Sequence, residues 1–83
     1  MNFYDYMVQK YIREMSPFGD LARDMQSDKY NFPDNGTTNL TTARRNIGEY
    51  LMGKGACYDC IESFVKAWYE YEAFVKRTQR TAV

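Results

Sequence analysis

Histidine is absent from the 83 residues of this chain. Without it there is no Ser-His or Cys-His nucleophile pair and no imidazole base, which closes the commonest routes to acyl transfer and proton abstraction. Cysteine is scarce too. Cys57 and Cys60 are the only two, and tetrahedral zinc wants four Cys or His ligands, so one chain cannot complete such a site. No glycine-rich phosphate loop is present. No apolar run approaches the ~20 residues of a membrane span. The chain begins Met1-Asn2-Phe3-Tyr4-Asp5-Tyr6, with an acid where a signal peptide is basic, and no leucine-rich segment follows. These absences predict a non-enzymatic protein without cofactor or metal, not associated with a membrane, cytoplasmic and with reduced thiols. In that setting the sequons Asn35-Gly36-Thr37 and Asn39-Leu40-Thr41 are chance matches.

Net charge is missing as well: 11 basic and 11 acidic side chains cancel. A general polyanion binder is usually clearly basic, so the balance argues against a strong nucleic-acid footprint. The charges are unevenly spread. Residues 1–40 carry four basic and six acidic groups, and residues 41–83 carry seven basic and five acidic ones. The cations Lys76, Arg77 and Arg80 close the chain, where they suit the dipole of a helix C-terminus. Residues 76–83 are expected to be a frayed tail of the single domain that spans 1–83.

What the chain has in quantity is aromatic rings, 17% of residues, with eight Tyr and five Phe. A chain this short buries a small core, and large rings supply burial that length does not. They concentrate in the stretch Cys57 to Arg77, which no Gly or Pro interrupts. There Ile61, Phe64, Val65, Trp68, Tyr71 and Val75 recur at steps of three and four, which places them on one face of a helix, with Glu72 at the edge of the stripe. The single Trp lies mid-stripe, so this helix is the expected pillar of the core, with Trp68 buried among Tyr11, Leu21, Leu51 and Phe64.

Upstream, Asn2 can cap a first helix running to about Arg13. Ser16-Pro17 starts a second, which runs to about Lys29 and buries Phe18, Leu21, Ala22 and Met25. Arg23, Asp24, Ser27 and Asp28 are expected on its wet face. Phe32-Pro33-Asp34-Asn35-Gly36-Thr37-Thr38 reads as the one real loop, pinned to the core by Phe32. A third helix is expected from about Thr41 to Met52, with Ala43, Ile47, Tyr50 and Leu51 inward. Gly53 and Gly55 end it. No strand, repeat or linker is visible. The fold class is all-α.

Several of these residues also carry a resemblance. Phe3-Tyr4-x-Tyr6, Leu21-Ala22 with Asp28 and Phe32-Pro33, Tyr50-Leu51, and Phe64-x-x-Ala67-Trp68-x-x-Tyr71-Glu72 resemble, in order and spacing, the YozE-like SAM-like domain family of small bacterial proteins, found mainly in Gram-positive species. The chain is longer between Phe32-Pro33 and Tyr50-Leu51 than typical members. The resemblance implies a compact bundle of four to five helices, similar to sterile alpha motif domains. It implies no activity.

Three constellations can be weighed for function. Cys57-x-x-Cys60 falls at a helix N-terminus, which lowers a thiol pKa, but it lacks the βαβ setting of a redox motif, and a zinc site would have to be shared across a dimer. The plainer reading is two small apolar residues on the first turn, one facing the core. Thr42, Arg44, Arg45 and Asn46, near the start of the third helix, resemble the reading face of a helix-turn-helix recognition helix. The plainer reading there is a solvated polar face. Third, Trp68, Tyr69, Tyr71 and Phe74 cannot all face one core, and Tyr58 can be similarly exposed. Outward aromatics are the side chains that interfaces favour. The preferred expectation is a binding module for protein, a second copy of itself included, through Tyr69, Phe74 and Tyr58. DNA binding through the third helix is the alternative, with nucleic acid the less favoured partner.

Overall fold

The computed structural model describes residues 1–33 and 39–81 of the chain, the last three of these by backbone alone. It contains four helices and, among the described residues, no strand. The turn expected over Asp34–Thr38 and the side chain of Arg80 lie outside the described part.

Each helix start follows from local chemistry. Helix α1 is Phe3–Tyr11, and the Asn2 side chain accepts from the Asp5 amide at 2.8 Å. Helix α2 is Pro17–Ser27, with Ser16 Oγ accepting from the Gly19 amide at 3.2 Å. Helix α3 is Leu40–Gly53, and its cap is Asn39, whose side chain accepts from the Thr42 amide at 2.8 Å. The expected start at about Thr41 is therefore one residue late, because Asn caps at least as well as Thr and stands first in line. Helix α4 is Tyr58–Thr81. It continues four residues past Arg77, so the backbone of the expected tail is helical as far as Thr81.

The α3–α4 junction closes with a paired capping pattern. Gly55 has φ +79°, its amide donates to the Met52 carbonyl at 3.1 Å, and the Ala56 amide donates to the Leu51 carbonyl at 3.0 Å. Those two bonds satisfy carbonyls that the helix end leaves open, and the left-handed residue between them favours glycine. Gly53, expected as a second terminator, is simply the last helical residue.

Helix α4 packs against all three others, and α1 pairs with α2. Trp68, 1% exposed, sits at the centre. Its ring lies 5.1 Å from that of Phe3, 6.1 Å from Phe64 and 5.1 Å from Tyr71, centroid to centroid. Met7, Leu21, Met25 and Ile47 complete the deepest layer, and Tyr11 and Leu51 belong to the same buried cluster. Phe32 is buried as expected, between Tyr4 at 5.8 Å and Tyr50 at 5.4 Å.

Two residues assigned to the wet face of α2 are occupied elsewhere. Arg23 folds back over the α1–α2 turn and donates to the carbonyls of Ile12 and Glu14, 3.0 Å each. Asp28, at the α2 C-cap, accepts from the Tyr50 hydroxyl and from Asn31 Nδ2 at 2.8 Å, with Lys54 Nζ at 3.8 Å. A periodicity argument sees only the face that Asp28 shares with Asp24. It cannot see that α3 returns a phenol to that point.

Candidate functional site

A helix that buries one stripe must turn the opposite side outward. On α4 that outward line runs through Tyr69, 62% exposed despite being flanked by Trp68 and Glu70. Helix α3 lies alongside with Ala43, Ile47 and Leu51 buried. In that register Arg44 emerges on the flank nearest α4, and its guanidinium carbon sits 5.9 Å from the centre of the Tyr69 ring. That is within cation–π range. Glu72 borders the same spot. One of its oxygens accepts from Trp68 Nε1 at 3.1 Å and the other meets Lys76 Nζ at 3.0 Å. The hydrogen bond from Lys76, with the nearby charges of Lys76 and Arg44, holds the Glu72 carboxyl below its ordinary range. The α3–α4 seam therefore presents an exposed ring with a cation over it, and an anchored carboxylate ties it to the core tryptophan.

The three aromatic candidates do not form one surface. Tyr58 is 80% exposed and shares the side of α4 that carries Tyr69, but it lies about 16 Å away along the axis, at ~1.5 Å per residue. Phe74 turns inward by about 140° from Tyr69. It is half-buried, packed on the core, and its ring is 5.1 Å from that of Tyr6. Phe74, expected at an exposed interface, therefore offers only part of its ring to a partner.

The nucleic-acid candidates are likewise divided. Arg44 and Arg45 are exposed, whereas Thr42 and Asn46 are half-buried. Arg44 and Asn46, two residues apart, point about 160° away from each other around the axis. One flank faces α4, and the other continues toward Tyr50 and Asp28. The backbones of α2 and α3 do not approach each other, whereas the two helices of a helix-turn-helix pack together across a short turn.

Cys57 is exposed, immediately before α4, and Cys60 is half-buried against the core. Burial pushes the Cys60 thiol up, with Asp24 acting in the same direction. This outweighs any activation from the helix N-terminus.

One cluster escaped the sequence reading. Glu70 accepts from the hydroxyl of Tyr6 at 2.6 Å and from that of Tyr11 at 2.6 and 2.7 Å, and it pairs with Lys10. Lys10 Nζ also donates to the Tyr6 hydroxyl at 3.2 Å. Burial alone would raise the Glu70 carboxyl, but the bonds from Lys10, Tyr11 and Tyr6 prevail and hold it down at about 2. Burial, then the bond to Glu70, pushes the Tyr11 phenol up to about 12. Such a carboxylate stays ionised at neutral pH and is no proton carrier there. It fastens α1 to α4. The available signal was weak: Lys10 follows Tyr6 by one helical turn, but nothing local points to residue 70.

Among the described residues no helix is long and apolar enough to cross a membrane. The model of the YozE SAM-like fold family matches residues 2–73 of the chain. No curated protein and no solved structure matches it.

Proposed function

This chain belongs to the YozE SAM-like fold family, and from that premise we propose that it is a non-enzymatic binding module that engages a protein partner through the α3–α4 seam. One observation carries the reading: Tyr69 is exposed on the outward side of α4 with the Arg44 guanidinium over its ring. Tyr and Arg are the residue types in which binding energy concentrates, because a rigid amphipathic ring and a planar cation give much contact for little ordering cost. The absence of histidine from the sequence and the depressed Glu70 carboxyl supply no neutral-pH acid or base for an enzymatic reading. The setting in which the module acts is the reducing cytoplasm, where Cys57 and Cys60 stay thiols.

DNA recognition by α3 has less support. Arg44 and Arg45 are exposed and adjacent, but the four candidate residues do not share a face, and zero net charge gives no long-range attraction to a polyanion.

The deciding experiment places a benzophenone amino acid at the exposed Ala73, one turn from Tyr69, and irradiates intact cells. A defined protein adduct is expected, lost when Tyr69→Ala is added and absent with the probe at Gln26 on α2. An adduct pattern indifferent to Tyr69 would refute the seam as the binding surface.

A further inference from the structure

The outward stripe of α4 complements itself. Glu62 pairs with Lys66 at 3.1 Å and Glu72 with Lys76 at 3.0 Å, so two opposite-charge pairs lie on the two sides of Tyr69. Their order along the helix, however, is the same: acid then base, before the ring and again after it. Val65 and Ala73 lie one turn to either side of the ring, the first half-buried and the second exposed. All these residues fall within about 60° of the Tyr69 direction around the axis.

That order has a geometric consequence. When two such helices meet antiparallel about a two-fold axis at Tyr69, the residue n positions before the ring stands level with the residue n positions after it in the other copy. Glu62 then stands level with Lys76 of the second copy, and Lys66 with Glu72. Val65 stands level with Ala73, and Tyr69 meets itself. Every charged level joins opposite signs, and each occurs twice, as a two-fold interface requires. In a parallel pair every level joins like with like, and four charged levels repel.

We propose that the partner of the α3–α4 seam is a second copy of this chain, paired antiparallel along α4 with Tyr69 on the two-fold axis. The proposal rests on the reading of the seam as a protein-binding surface and names its occupant. Glu62 and Lys76 lie closest to the centre line of the stripe, within about 20° of Tyr69, so their contact across the axis is the most direct. Glu62, Lys66 and Lys76 are exposed and their i,i+4 pairs weak, so Glu62 and Lys76 can turn to the partner's charges while Glu72 keeps its bond from Trp68 Nε1. Arg44 borders the stripe beside Tyr69 and adds a cation at its rim. One helix stripe buries less than the roughly 1,200 Å² of a standard interface, so the pair is a weak, concentration-dependent dimer.

Sedimentation equilibrium from micromolar to millimolar chain tests this. The wild type should show a monomer–dimer equilibrium, and Tyr69→Ala should reduce dimerisation. Glu62→Lys alone and Lys76→Glu alone should each weaken association by about tenfold or more, because each sets like charges level twice per dimer. The double variant Glu62→Lys with Lys76→Glu should recover the wild-type constant, a rescue that a parallel pair would not give. Circular dichroism controls the fold, and all of these positions are exposed. A chain that stays monomeric at millimolar concentration, or a dimer indifferent to these charges, overturns the proposal. In the cell, a Tyr69-dependent adduct at twice the chain mass supports the second copy. One at another mass overturns it while leaving the seam as a protein-binding surface, and no Tyr69-dependent adduct removes both readings.

Discussion

The Arg44 guanidinium lies over the Tyr69 ring at 5.9 Å, so one residue from each of two competing sequence readings belongs to the same patch of surface. A substitution at either disturbs both. Arg44→Ala removes a candidate phosphate contact and also the cation that holds the ring. Arg45, one residue on and exposed, is free of that ambiguity, as it points away from α4. Counterion release makes any phosphate-borne affinity fall steeply with salt. The expected result is weak binding to mixed-sequence duplex at physiological salt, unchanged by Arg45→Ala. Submicromolar binding lost on Arg45→Ala would transfer the function to DNA.

Gly19 offers a stability test with an unusual sign. A Cβ built there would stand 1.8 Å from the Glu14 carbonyl oxygen, which is backbone and cannot swing aside. In an open helical position, Gly→Ala stabilises by up to about 1 kcal/mol. Gly19→Ala should instead destabilise by several times that amount, since the α1–α2 turn must move and Arg23 must release its two carbonyls. Gly53, helical and with open space around it, is the control. Gly53→Ala should leave the urea midpoint unchanged or raise it.

The Glu70 cluster predicts a pH dependence. The folded-state carboxyl is held at about 2, against an ordinary value of 4.5. Because the folded value is depressed, the contribution is present above the unfolded pKa and is lost as pH falls from about 4.5 toward 2. Solvent reaches part of the side chain, so the gain is smaller than an ideal buried pair would give. Glu70→Gln should therefore be less stable than wild type at pH 7, and the gap should narrow through the acid range. Urea denaturation at several pH values checks it, and a gap constant with pH would show that the carboxylate charge contributes nothing.

How much of this was legible beforehand depended on whether a residue's role is local. Ser16-Pro17 and Asn2 cap helices through bonds to amides three residues on, and a linear reading sees such spacing. Trp68 and Tyr69 were separable because helical periodicity puts adjacent residues about 100° apart. The partial cover of Phe74 was not visible because it comes from Tyr6, nearly seventy residues upstream. Glu70 was overlooked for the same reason: its partners Tyr6, Lys10 and Tyr11 all lie on α1. Asp28 was placed in solvent because its phenolic partner, Tyr50, arrives from the far side of the Phe32 loop.

The Asp28–Tyr50 contact can be tested by removing one atom. Tyr50→Phe keeps the ring against Phe32 and deletes the hydroxyl that donates to Asp28. A hydrogen bond to a charged acceptor contributes about 1.5–3 kcal/mol, less where water can replace it. Asp28 is only half-buried, so the expected loss is about 1 kcal/mol. Asp28→Ala also removes the acceptor of Asn31 and the partner of Lys54 and should cost more, and the double variant should cost little more than Asp28→Ala alone, since the Tyr50 bond is already gone. Strictly additive losses would mean that the two residues act independently.

Trp68 contacts rings from α1 and its own helix and donates its indole N–H to Glu72. Truncating a buried aromatic to Ala costs about 3–5 kcal/mol, the transfer free energy of the lost atoms plus the cavity left behind. Small domains hold about 5–15 kcal/mol in all, and a chain of this length belongs near the low end. Trp68→Ala should thus abolish cooperative thermal unfolding or lower its midpoint sharply. Trp68→Phe separates the two contributions, keeping most of the volume while freeing Glu72 to pair with Lys76 alone. It should melt between wild type and Trp68→Ala. A Trp68→Ala protein that melts like the wild type would remove the pillar, and with it the argument that Tyr69 is turned outward.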